Sequence, residues 1–285
     1  MTTLTPPAGG EAMPLVSTRS EGVADCLVFA QEYSRRTRLA GLVGAALTGA
    51  AGAAFIARID AQASTLPALI LGFSFVGGLL STWSPCGYSS LCLLRPVGRH
   101  ARSALVTYTP TFLLHGAGYA LGAVILGGLL GLAGGLLGFA GISVLTLAAL
   151  GVAGLVYGAH QLGFLRVPYP QRRAQVPHDA RQRFPMWFIG GLYGISLGLN
   201  YLTYVQTPIL YLVTAAAVAS GNVTSAIVLF LAFNAGRFLP MAVNYLPVSD
   251  IAVQNWLARR QESAAFLDGG LLIAFGAALL TFAVL

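Results

Sequence analysis

Seven long apolar stretches divide the chain, near Leu39–Ala57, Leu66–Leu94, Ala104–Leu130, Leu137–Leu165, Met186–Ala217, Ser225–Leu246 and Ala265–Leu285, and polar residues gather between them. A hydrocarbon core of about 30 Å takes about 20 helical residues to cross, so each stretch is long enough to span a bilayer. Membrane strands would alternate apolar and polar positions, and none of these stretches does. With no water in the hydrocarbon layer, the backbone must satisfy its own hydrogen bonds, which leaves helices. The pattern predicts an all-α polytopic membrane protein with seven transmembrane helices. Residues 1–34 form an amino-terminal tail and 35–60 the first helix. Residues 61–165 supply three helices, 166–185 an arginine-rich loop ("RVPYPQRRAQVPHDARQRFP") and 186–285 three more.

An odd number of crossings in each set of three makes the two sets inverted repeats of one another. Each set opens on a stretch with an internal proline: Pro85 in "GLLSTWSPCGYSSL" and Pro208 in "GLNYLTYVQTPILYL". A proline removes one helical hydrogen bond and bends the helix, which a membrane tolerates only where protein or a cavity satisfies the freed carbonyl. Two interrupted helices in corresponding places point to a central site between the halves. Glycines spaced by four, at Gly118/Gly122, Gly127/Gly131/Gly135 and Gly190/Gly194/Gly198, line single helix faces and suit close helix packing. No strand precedes them and no Gly-Lys-Ser/Thr follows, so they are not phosphate loops.

Composition agrees with the membrane reading: 56% of residues are hydrophobic and 9% charged, with a mean hydropathy of +0.75. The net charge of +7 raises the question of nucleic acid, and the placement of the charges answers it. All 16 basic residues are arginine. With the amino terminus cytoplasmic, all but Arg58 and Arg237 fall on the cytoplasmic side, as the positive-inside rule expects. Basicity therefore reports topology, and no nucleic-acid partner is expected. The protein is placed in a bacterial inner membrane with its amino terminus inside and carboxyl terminus outside. The twin arginines of "SRRTRLAGLVGAALTGAAG" also fit an export signal ending near "AQAS", but a retained first helix is preferred.

Few groups within the stretches can carry chemistry. Cys26 lies in the tail, where a thiol stays reduced. Cys86 follows Pro85 directly and is flanked by Ser84, Gly87, Tyr88, Ser89 and Ser90, a polar setting in which a thiol can meet water or a partner's thiol. The plainer reading of Cys86 is a small apolar filler. Cys92 is six residues on and reads first as packing; an unbroken helix sets the two side chains about 120° and about 9 Å apart, so a direct disulfide requires the helix to unwind. His115 and His160 lack a second ligand at metal spacing and read as structural. Arg237 and Asp268 are expected to pair across the last two helices, because a lone charge at that depth is costly. No carboxylate pair, triad or metal cluster appears, so no metal or cofactor is expected.

The residues "GGLLSTWSPCGYSSL" resemble the opening of the CcdA/DsbD transmembrane electron carriers, which are cytochrome c biogenesis-like proteins, and the stretch from about Leu66 to Leu285 is similar to that family's six-helix plan. The resemblance implies that Cys86 is the first of two cysteines that pass reducing equivalents across the membrane. The family pattern in the second half is "TPCxGPIL", whereas this chain reads Thr203-Tyr-Val-Gln-Thr-Pro-Ile-Leu210, which puts Val205 at the second cysteine. A thiol–disulfide carrier would then need Cys92 or a partner's cysteine instead. Tyr204, Gln206, Thr207 and Pro208 line the equivalent position, with Pro85 and Cys92 supporting Cys86.

The added first helix, the sequence "SPCGYSSLCLLRP" and the chain length resemble the methylamine-utilisation branch of that family. This implies a maturation factor for periplasmic methylamine dehydrogenase, acting on thiols or in export-coupled assembly. It also implies a thioredoxin-like periplasmic protein and the dehydrogenase small subunit as partners, beside the lipid bilayer. Two other functions suit the same residues: transport of a small, possibly sulfur-containing solute, and a membrane scaffold for a maturation complex.

Overall fold

The computed structural model describes residues 33–59, 65–95, 102–168, 183–204 and 207–285. Among them are nine α-helices: α1 (Arg35–Ile59), α2 (Thr65–Leu80), α3 (Pro85–Leu93), α4 (Arg102–Leu136), α5 (Val144–Gln161), α6 (Met186–Gly198), α7 (Ile209–Ser220), α8 (Val223–Phe238) and α9 (Asp250–Val284). Short 3₁₀ turns follow α2 at Ser81–Trp83 and α8 at Leu239–Tyr245. Among the described residues, six helical stretches are long and apolar enough to cross a membrane; α6 and α7 are apolar but shorter. Large apolar side chains such as Leu47, Leu129, Leu145 and Leu267 are exposed, which suits a surface facing lipid rather than water.

The two proline-bearing stretches differ from expectation. Leu66–Leu94 and Met186–Ala217 were expected to be single bent helices, and each instead holds two separate α-helices. Proline explains where the second piece begins. Pro85 is the first residue of α3 and Pro208 immediately precedes α7, positions where a helix has no partner for the missing N–H anyway.

The last helix also departs from the apolar pattern. It was expected from about Ala265, but it starts at Asp250, where Ser249 Oγ accepts from the Ala252 amide at 3.2 Å. At 1.5 Å per residue its 35 residues extend well past a bilayer's hydrocarbon core. The added turns carry Arg259, Arg260 and Glu262, and Glu262 makes a 3.2 Å ion pair with Arg38 of α1.

α2 packs along α8 as α6 packs along α4, while α5 lies along α9 and α4 along α8. Exchanging the first three-helix set for the second carries this main contact pattern into itself. α1 stands outside it, against α9. Glycines allow these approaches, as their spacing predicts. A Cβ on Gly194 would lie 2.2 Å from the His115 carbonyl oxygen, and one on Gly122 would lie 2.4 Å from Gly198. Between α2 and α8 the contact is closer still, with a Gly78 Cβ placed 1.8 Å from the Phe233 oxygen. Backbones can meet this way only without side chains between them. The apolar core fills the remaining space around Phe73, Ile209, Val213, Phe230, Phe233 and Leu272.

Candidate functional site

The first interruption satisfies itself locally. After α2 the chain makes a 3₁₀ turn, and Ser84 is extended (φ −71°, ψ 150°) before α3 begins. Ending α2 frees carbonyls that water cannot reach, and neighbouring hydroxyls take them up. Ser81 Oγ donates to the Gly78 carbonyl at 2.6 Å, Thr82 Oγ1 to Leu79 at 2.7 Å, and Ser84 Oγ to Ser81. The sequence "STWS" is thus a run of caps, which explains polar residues in an apolar stretch. Gly87 closes the turn tightly: a Cβ there would sit 2.8 Å from the Thr82 oxygen.

The second interruption is longer and is held by distant residues. α6 stops at Gly198, and Asn200 takes a left-handed conformation (φ 56°) that few residues other than glycine and asparagine adopt readily. Arg237 Nη1 donates to the Leu197 carbonyl at 2.9 Å and to Asn200 Oδ1 at 3.0 Å. Asn234 Nδ2 donates to the Gly198 and Tyr119 carbonyls, both at 2.9 Å. Asn200 Nδ2 also reaches Gly198, and it joins Asn234 Oδ1 at 3.0 Å. On the far side of the interruption, Thr207 Oγ1 accepts from the Ile209 amide at 3.2 Å and donates to Asp268 Oδ1.

Arg237 and Asp268 therefore do not form the expected pair. The ion pair found among the described residues is Arg38–Glu262. Both buried charges instead meet the interrupted helix, 3% exposed each. Arg237 lies at the carbonyl end of α6, which carries partial negative charge, and Asp268 is bonded through Thr207 to the amide end of α7, which carries partial positive charge. Each charge complements a helix end rather than the other charge.

The two interruptions border one small recess of about 20 Å³, room for about one water. Leu80, Trp83 and Ser84 line it from the first, Thr207 from the second, Gln161 from the end of α5, and Gln261 and Asp268 from α9. Asp268 Oδ2 accepts from Gln161 Nε2 at 2.9 Å. Trp83 Nε1 is buried without a hydrogen-bond acceptor among the described residues, and its ring packs against Trp256 at 5.2 Å.

Of the residues singled out by sequence, Thr207 and Asp268 line this recess, as does Ser84 of the "SPC" motif. Pro208 is buried at the start of α7, and Tyr204 is half-buried against a separate apolar cluster around Tyr193 and Leu197. Cys86 falls in the first turn of α3 and half-buried Cys92 near its end, on one unbroken helix, so the separation expected between them holds for the backbone. The side chains of Pro85 and Cys86, and all of Val205, Gln206 and Cys26, lie outside the described residues. His115 is structural as expected: Nδ1 lies 2.8 Å from the Gly190 carbonyl oxygen, and the ring is edge-on to Tyr119. His160 Nδ1 accepts from the Val167 amide at 3.0 Å. Sequence reasoning missed Gln161, Asn200 and Asn234. Their signal was present, since each is an amide side chain within or beside an otherwise apolar run.

Comparison with known proteins places this arrangement. The chain is 73% identical over 285 residues, the whole of both proteins, to the methylamine utilization protein MauF of Methylorubrum extorquens. The chain belongs to the MauF family. Other members share the similarity nearly end to end. The MauF protein of Paracoccus versutus is 59% identical over 93% of this chain and 94% of its own. That of Methylobacillus flagellatus is 52% identical over 92% and 93%. No family model matches the chain, and no solved structure does. Membership of the MauF family makes this a methylamine utilization protein carried on membrane-spanning helices.

Proposed function

We propose that this protein is an inner-membrane accessory factor for maturation of periplasmic methylamine dehydrogenase, acting through thiol or disulfide handling at Cys86. The observation that carries the reading is full-length similarity to proteins named for methylamine utilization. Its chemistry is supported by two interrupted helices bordering one polar recess, with Cys86 in the helical turn that begins just after Ser84.

In this reading the chain crosses the membrane seven times. α1 comes first, followed by two inverted repeats, α2–α5 and α6–α9, in which each interrupted pair serves as one crossing. The symmetric contact pattern supports the repeats, and the arginine distribution supports a cytoplasmic amino terminus. Cys86 exchanges with a thioredoxin-like periplasmic protein or with the dehydrogenase small subunit. Because Val205 stands where CcdA/DsbD-type carriers have a second cysteine, and Cys92 is held away from Cys86 on the same unbroken helix, the second sulfur comes from the client or its thioredoxin-like partner.

The test is Cys86→Ser in cells grown on methylamine, with acid-quenched thiol trapping of the parent. Loss of dehydrogenase maturation together with a trapped mixed disulfide is expected. Full maturation in the variant, with no mixed disulfide in the parent, would overturn the reading. The paired interruptions also suit alternating access by a small solute, and solute uptake by proteoliposomes that survives Cys86→Ser would favour transport instead.

A further inference from the structure

Four arginines at one end of the α1–α9 seam have no acidic partner among the described residues. The two helices run parallel and in register. A Cβ on Gly41 would lie 2.4 Å from the Phe266 ring and one on Gly49 2.0 Å from the Ala274 carbonyl oxygen, the same offset of 225 positions in both. That offset brings Arg35 and Arg36, at the start of α1, level with Arg259 and Arg260 of α9. Arg259 also falls three residues before Glu262 and seven before Phe266, the spacing of a single helix face, and that is the face α9 turns to α1. All four arginine side chains are exposed. Just beneath them the seam is clamped: Glu262 accepts from Arg38 at 3.2 Å and from the Tyr33 amide at 3.0 Å, and the Tyr33 ring packs on Phe266 at 4.8 Å.

No carboxylate among the described residues is placed to neutralise the four. Glu262 is taken by Arg38, Asp268 is buried at the second interruption, and Asp250 stands nine residues before Arg259, about 14 Å along the helix. Like charges held at one level repel one another, so the cluster suits an anionic ligand. Its depth identifies that ligand. α1 is apolar from Leu39 to Ala57, about 28 Å of helix and so about one hydrocarbon thickness, which sets the arginines before Leu39 at the level of the lipid headgroups. Exposed Leu39, Val43 and Leu47 on α1 and Leu267 on α9 carry on from the arginines as lipid-facing surface. Exposed Trp256, one turn before Arg260, is an indole of the kind that gathers among headgroups. An anion with apolar chains satisfies both the charge and the surface below it.

We propose that this end of the α1–α9 seam binds an anionic phospholipid, its phosphate held between Arg35 and Arg36 on α1 and Arg259 and Arg260 on α9, with its acyl chains along Leu39, Val43 and Leu267. Guanidinium groups suit the task because their planar donors meet phosphate oxygens in pairs. The lipid fastens α1, which stands outside the contact pattern of the other helices, to α9. Arginines at helix ends set topology in any membrane protein; four at one level across a clamped helix pair also select which lipid lies there. The inference does not depend on the thiol reading of Cys86.

The experiment titrates the purified, delipidated full-length protein in detergent with phosphatidylglycerol or with phosphatidylcholine of the same acyl chains, and counts bound lipids by native mass spectrometry. The first phosphatidylglycerol is expected to bind about tenfold more tightly than the first phosphatidylcholine, and to raise the thermal midpoint. Joint replacement Arg35→Gln, Arg36→Gln, Arg259→Gln and Arg260→Gln abolishes that preference, the pair on either helix alone weakens it, and Arg58→Gln at the far end of α1 leaves it intact. The same four positions changed to lysine keep the charge and the fold, and lower the preference by about threefold because an ammonium does not meet phosphate bidentately. Equal binding of the two lipids by the parent overturns the inference, as does a preference that survives the four glutamines or is untouched by the four lysines. A rise in midpoint with glycerol phosphate alone equal to that with phosphatidylglycerol would make the ligand a soluble phosphate and overturn it too.

Discussion

The two interruptions solve one physical problem in opposite ways. Both end a helix inside a membrane and must find partners for carbonyls that water cannot reach. At the first, the partners come from the same turn: Ser81, Thr82 and Ser84 donate to carbonyls three residues back. At the second, they come from α8, 36 to 40 positions further along the chain, through Asn234 and Arg237, while Asp268 of α9 accepts from Thr207 at the start of the next helix. A locally capped break can keep its shape whatever its neighbours do. A break capped from a distance exists only when the helices around it are assembled, and it ties them together in return. The reactive residue of the proposed function sits at the locally capped break, and of the distant partners of the other break Asp268 lines the recess.

The comparison can be broken most forcefully at Arg237. Arg237→Leu leaves buried Asn200 Oδ1 without its Arg237 donor and the Leu197 carbonyl with the Asn200 amide but not the guanidinium, and a cost of about 3 kcal/mol in stability is expected. It should be visible as a large fall in thermal midpoint in detergent. Asn234→Leu removes donors from Gly198 and Tyr119, for about 2 kcal/mol by the same measurement.

Changes at the first break should cost less and act more locally. Gly87→Ala forces a methyl against the Thr82 and Ser81 carbonyls, with an expected loss of about 1.5 kcal/mol as the turn shifts. Ser84→Ala should cost about 1 kcal/mol. If Ser84→Ala proves more damaging than Arg237→Leu, the contrast between local and distant capping is wrong. The finest distinction is a double-mutant cycle between Arg237→Leu and Asp268→Leu. Since the two charges complement different helix ends, their coupling should stay below about 0.5 kcal/mol, whereas a direct ion pair would give a larger value.

Much of the helix layout is legible in the sequence, because an apolar run of given length has one way to satisfy its backbone in lipid. What misleads is the treatment of proline as a bend. Pro85 and Pro208 each begin a new helix, and the difference lies in the capping groups: "STWS" advertises them locally, while the caps of the second break lie on α8. The start of the last helix at Asp250 was hidden for another reason. Its first turns are polar and stabilised by the Ser249 cap and the contact with α1, neither of which hydropathy detects.

By itself, the sequence determined that this is a helical membrane protein, which stretches form its helices, where its glycines permit close packing and that Cys86 stands at an interruption. Those are consequences of local composition and spacing. Only the tertiary structure decided that Arg237 and Asp268 face opposite ends of one broken helix, and that Ser84, Thr207, Gln161 and Asp268 share a recess. A sequence can show that a buried charge needs compensation, but the compensation here comes from backbone dipoles and amides, whose positions exist only once the helices have packed.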